Sequence, residues 1–239
     1  MFCCMLMSAF QPDSPHILVF LQDIAANIMM RSVLSVCVMF TLLIQGVDSD
    51  SECTTIISDC YSAVVDIVFI LDSSASVFST DFTRMLHFTR DLVFNLNIDG
   101  GDARVGIITY SHTTNVEFYL SQYQIETELL TAIDDITHSH GLMTNTGEAL
   151  KTMREEMFTA VHGDRPEVPN VALLITDGNS QQGEITKIQA KISKEAGIHI
   201  FAIGIGKVHL SELINIASGH LRRILQIDYT YFFAITRDW

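Results

Sequence analysis

The chain has 239 residues and 48% of them are hydrophobic, which is enough to bury a sizeable core and too apolar for a disordered chain. Its 14 Lys and Arg stand against 28 Asp and Glu, a formal charge of -14, and no basic run occurs. That balance disfavours nucleic acid and anionic membrane surfaces as partners and suits cations or basic proteins.

Residues 1–47 read as upstream sequence and a leader. Met29, Met30 and Arg31 precede "SVLSVCVMFTLLIQ", which Gly46 closes before Asp48, Asp50 and Glu52. A basic start, a short apolar centre and small residues near Gly46 or Ser49 fit a secretory signal peptide with translation starting at Met29 or Met30. The centre is too short to span a bilayer comfortably. The expectation is export, with no membrane insertion of the mature chain. Cleavage there removes Cys3, Cys4 and Cys37 and leaves Cys53 and Cys60 in a linker at 48–64. These two form a candidate disulfide, or they bond to a neighbouring chain in a disulfide-linked oligomer. Neither a Cys-x-x-Cys pair nor a Cys/His cluster is present, so zinc-finger and thioredoxin-type chemistry have no support.

From residue 64 onward, apolar runs of strand length alternate with segments of helical period. Residues 65–71, 104–110, 171–176 and 198–205 are rich in β-branched side chains and lack polar alternation, as in strands covered on both faces. Phe82, Met85, Leu86, Thr89, Leu92, Val93 and Leu96 recur at helical spacing, with Ser79 or Thr80 available as N-cap. Residues 114–120 read as an antiparallel edge strand in a hairpin with 104–110. Helices follow at 125–136, 147–158, 184–196 and 210–217, and a short strand within 224–227. The alternation predicts an α/β fold: a doubly wound, mostly parallel sheet with one antiparallel edge strand and helices on both faces.

In such sheets ligands bind beyond the carboxyl ends of the strands. The first strand ends in Asp72-Ser73-Ser74-Ala75-Ser76, where an extended loop would turn Asp72, Ser74 and Ser76 to one side. Residues 171–176 run into Asp177-Gly178, and Thr144-Asn145-Thr146-Gly147 opens a helix. Asp72 and Asp177 with the hydroxyls of Ser74, Ser76 and Thr144 make a hard-oxygen set suited to Mg²⁺, Mn²⁺ or Ca²⁺. Neutral ligands leave such an ion electrophilic and open to a carboxylate from another molecule.

The segments "DIVFILDSSASV", "ARVGIITYS", "TNTGEAL" and "VALLITDG", in this order, resemble the von Willebrand factor type A domain with its metal-ion-dependent adhesion site. The flavour is that of the extracellular-matrix branch, such as matrilins and type VI collagen chains. The resemblance implies metal ligation through the hydroxyls of Ser74, Ser76 and Thr144, with Asp72 and Asp177 binding directly or through water. It also implies a secreted, non-enzymatic module of the extracellular matrix that meets an Asp or Glu of a matrix or cell-surface protein such as collagen. The domain would run from 65 to 239. Gly141-Leu142-Met143 departs from the glycines that usually precede the Thr-Asn-Thr motif, and 220–239 is atypical or truncated.

Two alternatives come from other classes. One is a structural matrix-assembly module without a metal-mediated ligand. The other is a Mg²⁺-dependent phosphohydrolase with Asp72 as nucleophile, which Ser74 disfavours because a hydroxyl cannot serve as general acid at neutral pH where a second carboxylate is needed. His138, His140 and His162 lie in loops without metal spacing and read as solvated or core groups.

Overall fold

A computed structural model describes residues 64–206, 208–218 and 224–227. The leader, Cys53 and Cys60, and most of 220–239 lie outside these residues. In chain order the elements are β1 (Val65–Asp72), α1 (Ser79–Phe94), β2 (Ala103–Tyr110), β3 (Thr114–Phe118), α2 (Glu126–Asp134), α3 (Thr146–Thr152), β4 (Asn170–Thr176), α4 (Gly183–Glu195), β5 (His199–Ile205), α5 (Leu210–Ile216) and β6 (Ile224–Ile227). They build one sheet of order β3-β2-β1-β4-β5-β6, in which only the β2–β3 pair is antiparallel.

The four inner strands, β2, β1, β4 and β5, are buried on both faces because their side chains alternate between two cores. Ile67, Phe69 and Leu71 of β1 join Val105, Ile107, Leu173, Ile175, Phe201 and Ile203 beneath α1 and α2. Val68 and Ile70 face the other way, with Ile108, Tyr110, Ala172 and Leu174, against α3, α4 and α5. Strands covered on both sides need no polar face, which is why their sequence runs are uninterrupted. The order reverses at β1, with β2 on one flank and β4 on the other, so the crevice between the carboxyl ends of β1 and β4 is the topological switch point.

Three local expectations change. The residue preceding α1 is Phe78, and neither Ser79 nor Thr80 caps it; backbone amides of Asp81 and Phe82 instead bond to the Phe78 carbonyl. The helix expected over 147–158 is α-helical only to Thr152 and widens into a π turn over Met153–Met157, closed by the Phe158 amide on the Met153 carbonyl. Widening seats both Met153 and Met157 in the core at 0% exposure, and helical periodicity alone does not signal it. The helix expected over 125–136 stops at Asp134.

The pole opposite the crevice is tied by one ion pair. Asp66, fully buried near the start of β1, accepts from the Arg165 backbone N–H at 2.7 Å and from its Nε at 2.8 Å. The same guanidinium donates to the carbonyls of Gly101, Val65 and Asp102. Among the described residues no helix is long and apolar enough to cross a membrane.

Candidate metal centre

The structure brings the residues expected to form the site to the rim of the switch-point crevice. Asp72 ends β1 at 0% exposure, Ser74 follows at 2%, and Ser76 is exposed, so the loop climbs from core to surface within a few residues. It is not extended, as the alternation argument required. The Ser74 N–H bonds back to Asp72 Oδ1 at 2.9 Å and the Val77 N–H to the Ser74 carbonyl at 3.1 Å. A tight turn, rather than a pleat, gathers the oxygens.

Ser74 Oγ and Ser76 Oγ are 2.9 Å apart, and Ser76 Oγ donates to Asp177 Oδ1 at 2.8 Å, a partner 101 residues away in sequence. Because the Ser76 proton is committed to Asp177, Ser74 is the donor between the serines. Thr144, 4% exposed, lies on the other side of Gly178 from Ser76. The point where a Cβ on Gly178 would sit is 3.4 Å from Ser76 Oγ and 3.9 Å from Thr144 Oγ1. A side chain there would fill the space between the hydroxyls; glycine leaves it clear.

Asp72 is the electrostatic centre. Its Oδ2 accepts from Thr176 Oγ1 at 2.7 Å, and its Oδ1 is held by Ser74. Burial pushes its carboxyl up to about 6 from 3.8, hydrogen bonds from Thr176 and Ser74 hold it back, and the nearby charge of Asp177 adds to the rise. Two carboxylates that repel one another, ringed by neutral hydroxyls, are what a divalent ion relieves. Among the described residues no group of three His, Cys, Asp or Glu is placed to hold a metal ion. A cation here would have to lean on hydroxyl oxygens, so the donor chemistry fits a hard cation better than a thiophilic one.

Sequence reasoning missed the groups that hold these residues in place. Ser139 clamps the Asp72–Ser76 loop, its N–H bonding Ser73 Oγ at 2.7 Å and its Oγ the Ser73 carbonyl at 2.9 Å. His138 is not a free loop histidine. Its Nε2 donates to the Ser74 carbonyl at 3.1 Å, and its ring stacks on Phe82 at 4.7 Å. Burial lowers its pKa, the hydrogen bond to Ser74 raises it, and His140 lowers it further. His140 lies against the His138 ring, whereas His162 stacks on Tyr119 away from the rim. Gln181 Oε1 accepts from the Thr144 N–H at 2.6 Å, and the Asn145 N–H bonds the Ser111 carbonyl at 2.9 Å. Apart from the contact between His138 and His140, these pairings have no local signal, because the partners lie far apart in the sequence.

Gly141 shows how tightly the loops mesh. Its carbonyl accepts from the Ala75 N–H at 2.7 Å, and a Cβ on it would lie 2.2 Å from Ser111 Oγ. Gly141→Ala is expected to cost about 1–3 kcal/mol, the range for overpacking a filled site, and to weaken ion binding by moving Ser74. Chemical unfolding and titration calorimetry on the same variant check both.

The fold and the rim together define an open, doubly wound α/β module with an oxygen-lined crevice at its switch point. A family model of the von Willebrand factor type A domain matches residues 66–235, and the chain belongs to that family. Matrilin-3 of Mus musculus is 34% identical over 176 residues, covering 72% of this chain and 36% of that one. The collagen alpha-6(VI) chain of Mus musculus is 32% identical over 158 residues, 66% of this chain and 7% of that one. Von Willebrand factor of Rattus norvegicus is 29% identical over 157 residues, 65% of this chain and 35% of that one. The chain thus spans about a third of the length of the matrilin-3 that it matches. Among solved structures, proximal thread matrix protein 1 from the mussel byssus with a zinc-occupied MIDAS motif has a TM-score of 0.68 at 25% identity, covering 72% of this chain and 45% of that one.

Proposed function

We propose that this domain is a secreted, divalent-cation-dependent adhesion module of the extracellular matrix that engages an acidic residue of a protein ligand, collagen being one candidate. The observation that carries this reading is the contact chain from Ser74 through Ser76 to Asp177, with Asp72 buried beneath it and Thr144 across the Gly178 gap. Asp72, Ser74, Ser76, Thr144 and Asp177 would hold Mg²⁺, with Mn²⁺ or Ca²⁺ as substitutes; when bound, the ion supplies an electrophilic position open to a partner's carboxylate. The residues of the chain do the rest: Asp72 and Asp177 supply negative charge, the hydroxyls supply neutral oxygens, and Ser139, His138 and Gln181 fix their positions.

Against phosphoryl transfer stands the residue two positions after Asp72: Ser74 occupies the place of the general acid, and a hydroxyl cannot do that work at neutral pH. The relatives named above make matrix or cell-surface proteins the natural place to look for the ligand. Export after removal of the leader, and a disulfide at Cys53 and Cys60, belong to the same reading; mass spectrometry of the intact, non-reduced secreted protein tests both.

The functional test is capture of matrix proteins by the secreted chain in Mg²⁺, compared with chelator and with the Asp72→Ala and Ser74→Ala variants. Capture abolished by chelator and by both substitutions is expected. Capture indifferent to all three would mean a structural module whose ligand does not use the ion. Leu142 adds a second readout, because it is 89% exposed on the loop leading to Thr144. Leu142→Ser is expected to leave ion affinity unchanged while weakening capture, as removal of an apolar contact beside the carboxylate position would.

A further inference from the structure

Tyr110 is one of the largest fully buried side chains, yet its hydroxyl has no hydrogen-bond partner among the described residues. Buried phenols almost always find a partner, and an orphaned one costs free energy, so its placement calls for a cause. Register supplies the location. Tyr110 ends β2 directly beside Asp72 at the end of β1, while Leu71 pairs with Ile175, which sets Thr176 on the other flank. The strand alternation that sends Val68, Ile70, Ile108, Ala172 and Leu174 into the core beneath α3, α4 and α5 also sends Tyr110, Asp72 and Thr176 to that face. The three form one row at the carboxyl ends of neighbouring strands.

Thr176 already gives its proton to Asp72 and accepts from the Gly178 N–H at 3.2 Å. On the other flank the phenol lies close enough to Thr146 and Thr176 to interact with them, and to Asp72 to feel its charge. It nevertheless meets hydrogen-bond geometry with none of them. Its O–H can donate, and the row beside it is made of acceptors. If Asp72 and the rim hydroxyls held a divalent ion, the lone pairs given to it would no longer be free for the present hydrogen bonds, and those bonds would be redistributed.

We propose that Tyr110 is a positioning residue of the metal centre, its hydroxyl completing a hydrogen bond to an oxygen of Asp72, Thr176 or Thr146 only when the centre holds a divalent ion. This rests on the reading of the crevice as an ion site and adds to it a group from outside the ligand set. Tyr110 touches no ion; it acts through the oxygens it supports.

The experiment uses the full chain and its Tyr110→Phe variant, with Mg²⁺ and Mn²⁺ alone as probes. Three readouts are taken: unfolding in chelator, ion affinity by calorimetry, and the tyrosine ultraviolet difference spectrum on adding ion. Expected are a variant at least as stable as wild type without ion, an affinity for Mg²⁺ lower by about three- to tenfold, the value of one neutral hydrogen bond, and loss of a difference signal that wild type shows. Equal affinities in the two proteins, or a variant destabilised to the same extent with and without ion, would make the tyrosine a core residue and overturn the proposal while leaving the ion site intact. Absence of ion binding by folded wild type would overturn both.

Discussion

Replacing Asp72 by Asn is expected to cut divalent-ion affinity by at least about 100-fold, the upper end of what losing a supporting group of a metal site costs, and at the same time to stabilise the ion-free domain at pH 7. The two effects have one origin. Burial without an ion raises the Asp72 carboxyl to about 6 from 3.8, so the folded domain takes up a proton that the unfolded chain at the same pH does not. Stability of the ion-free domain therefore falls as pH rises from about 4 to about 6 and levels off above. The unfavourable contribution at pH 7 reaches about 3 kcal/mol at most, since each tenfold difference in proton affinity between folded and unfolded chain is worth about 1.4 kcal/mol. Asn removes the charge and keeps the shape. Its carbonyl oxygen can still accept from the Ser74 N–H, and its amide can donate to the Thr176 hydroxyl, which then turns its own proton to the Gly178 carbonyl, 2.9 Å away. Urea unfolding in chelator between pH 4 and 8 checks it: the wild-type slope between pH 4 and 6 should be missing from the variant. For the same reason ion affinity of the wild type should weaken as pH drops below about 6, where the proton competes for Asp72.

Arg165→Met should be the most damaging change away from the rim. Asp66 is buried at 0% exposure, and the guanidinium that neutralises it also satisfies carbonyls of Val65, Gly101 and Asp102. Removing one partner of such a pair leaves a buried charge uncompensated and costs about 3–5 kcal/mol. The backbone N–H of Arg165 still reaches Asp66 Oδ2 at 2.7 Å, which favours the lower end. The double variant Asp66→Asn, Arg165→Met should recover more than half the loss, because no lone charge remains. Since the pair lies at the amino ends of the strands, ion affinity of the folded fraction should not change. Equilibrium unfolding measures the first two effects and calorimetry the third.

Much of this architecture is legible in the sequence because its signals are local. Uninterrupted apolar runs mark strands buried on both faces, and a carboxylate at the end of a run, as at Asp72 and Asp177, marks the rim. The arrangement of the site is less legible. Alternation suggested that Asp72, Ser74 and Ser76 converge along an extended loop, whereas the Asp72 carboxylate turns the backbone onto itself by accepting from Ser74. The supporting groups Ser139, His138 and Gln181 come from other loops and owe their roles to the fold alone. Tyr110 reads as one more apolar strand residue until the register sets it beside Asp72. The π turn at Met153–Met157 and the uncapped start of α1 show the same limit: packing, not propensity, decides them.

The most direct test of the ion site is titration calorimetry of the folded wild-type chain with Mg²⁺ and Mn²⁺ at pH 7.5, beside Asp72→Asn. One saturable site in the wild type, absent from the variant and abolished by chelator, is the result expected of an oxygen-lined centre at the β1–β4 switch point. A folded wild type that takes up neither ion, or a variant that binds as tightly as wild type, would contradict it.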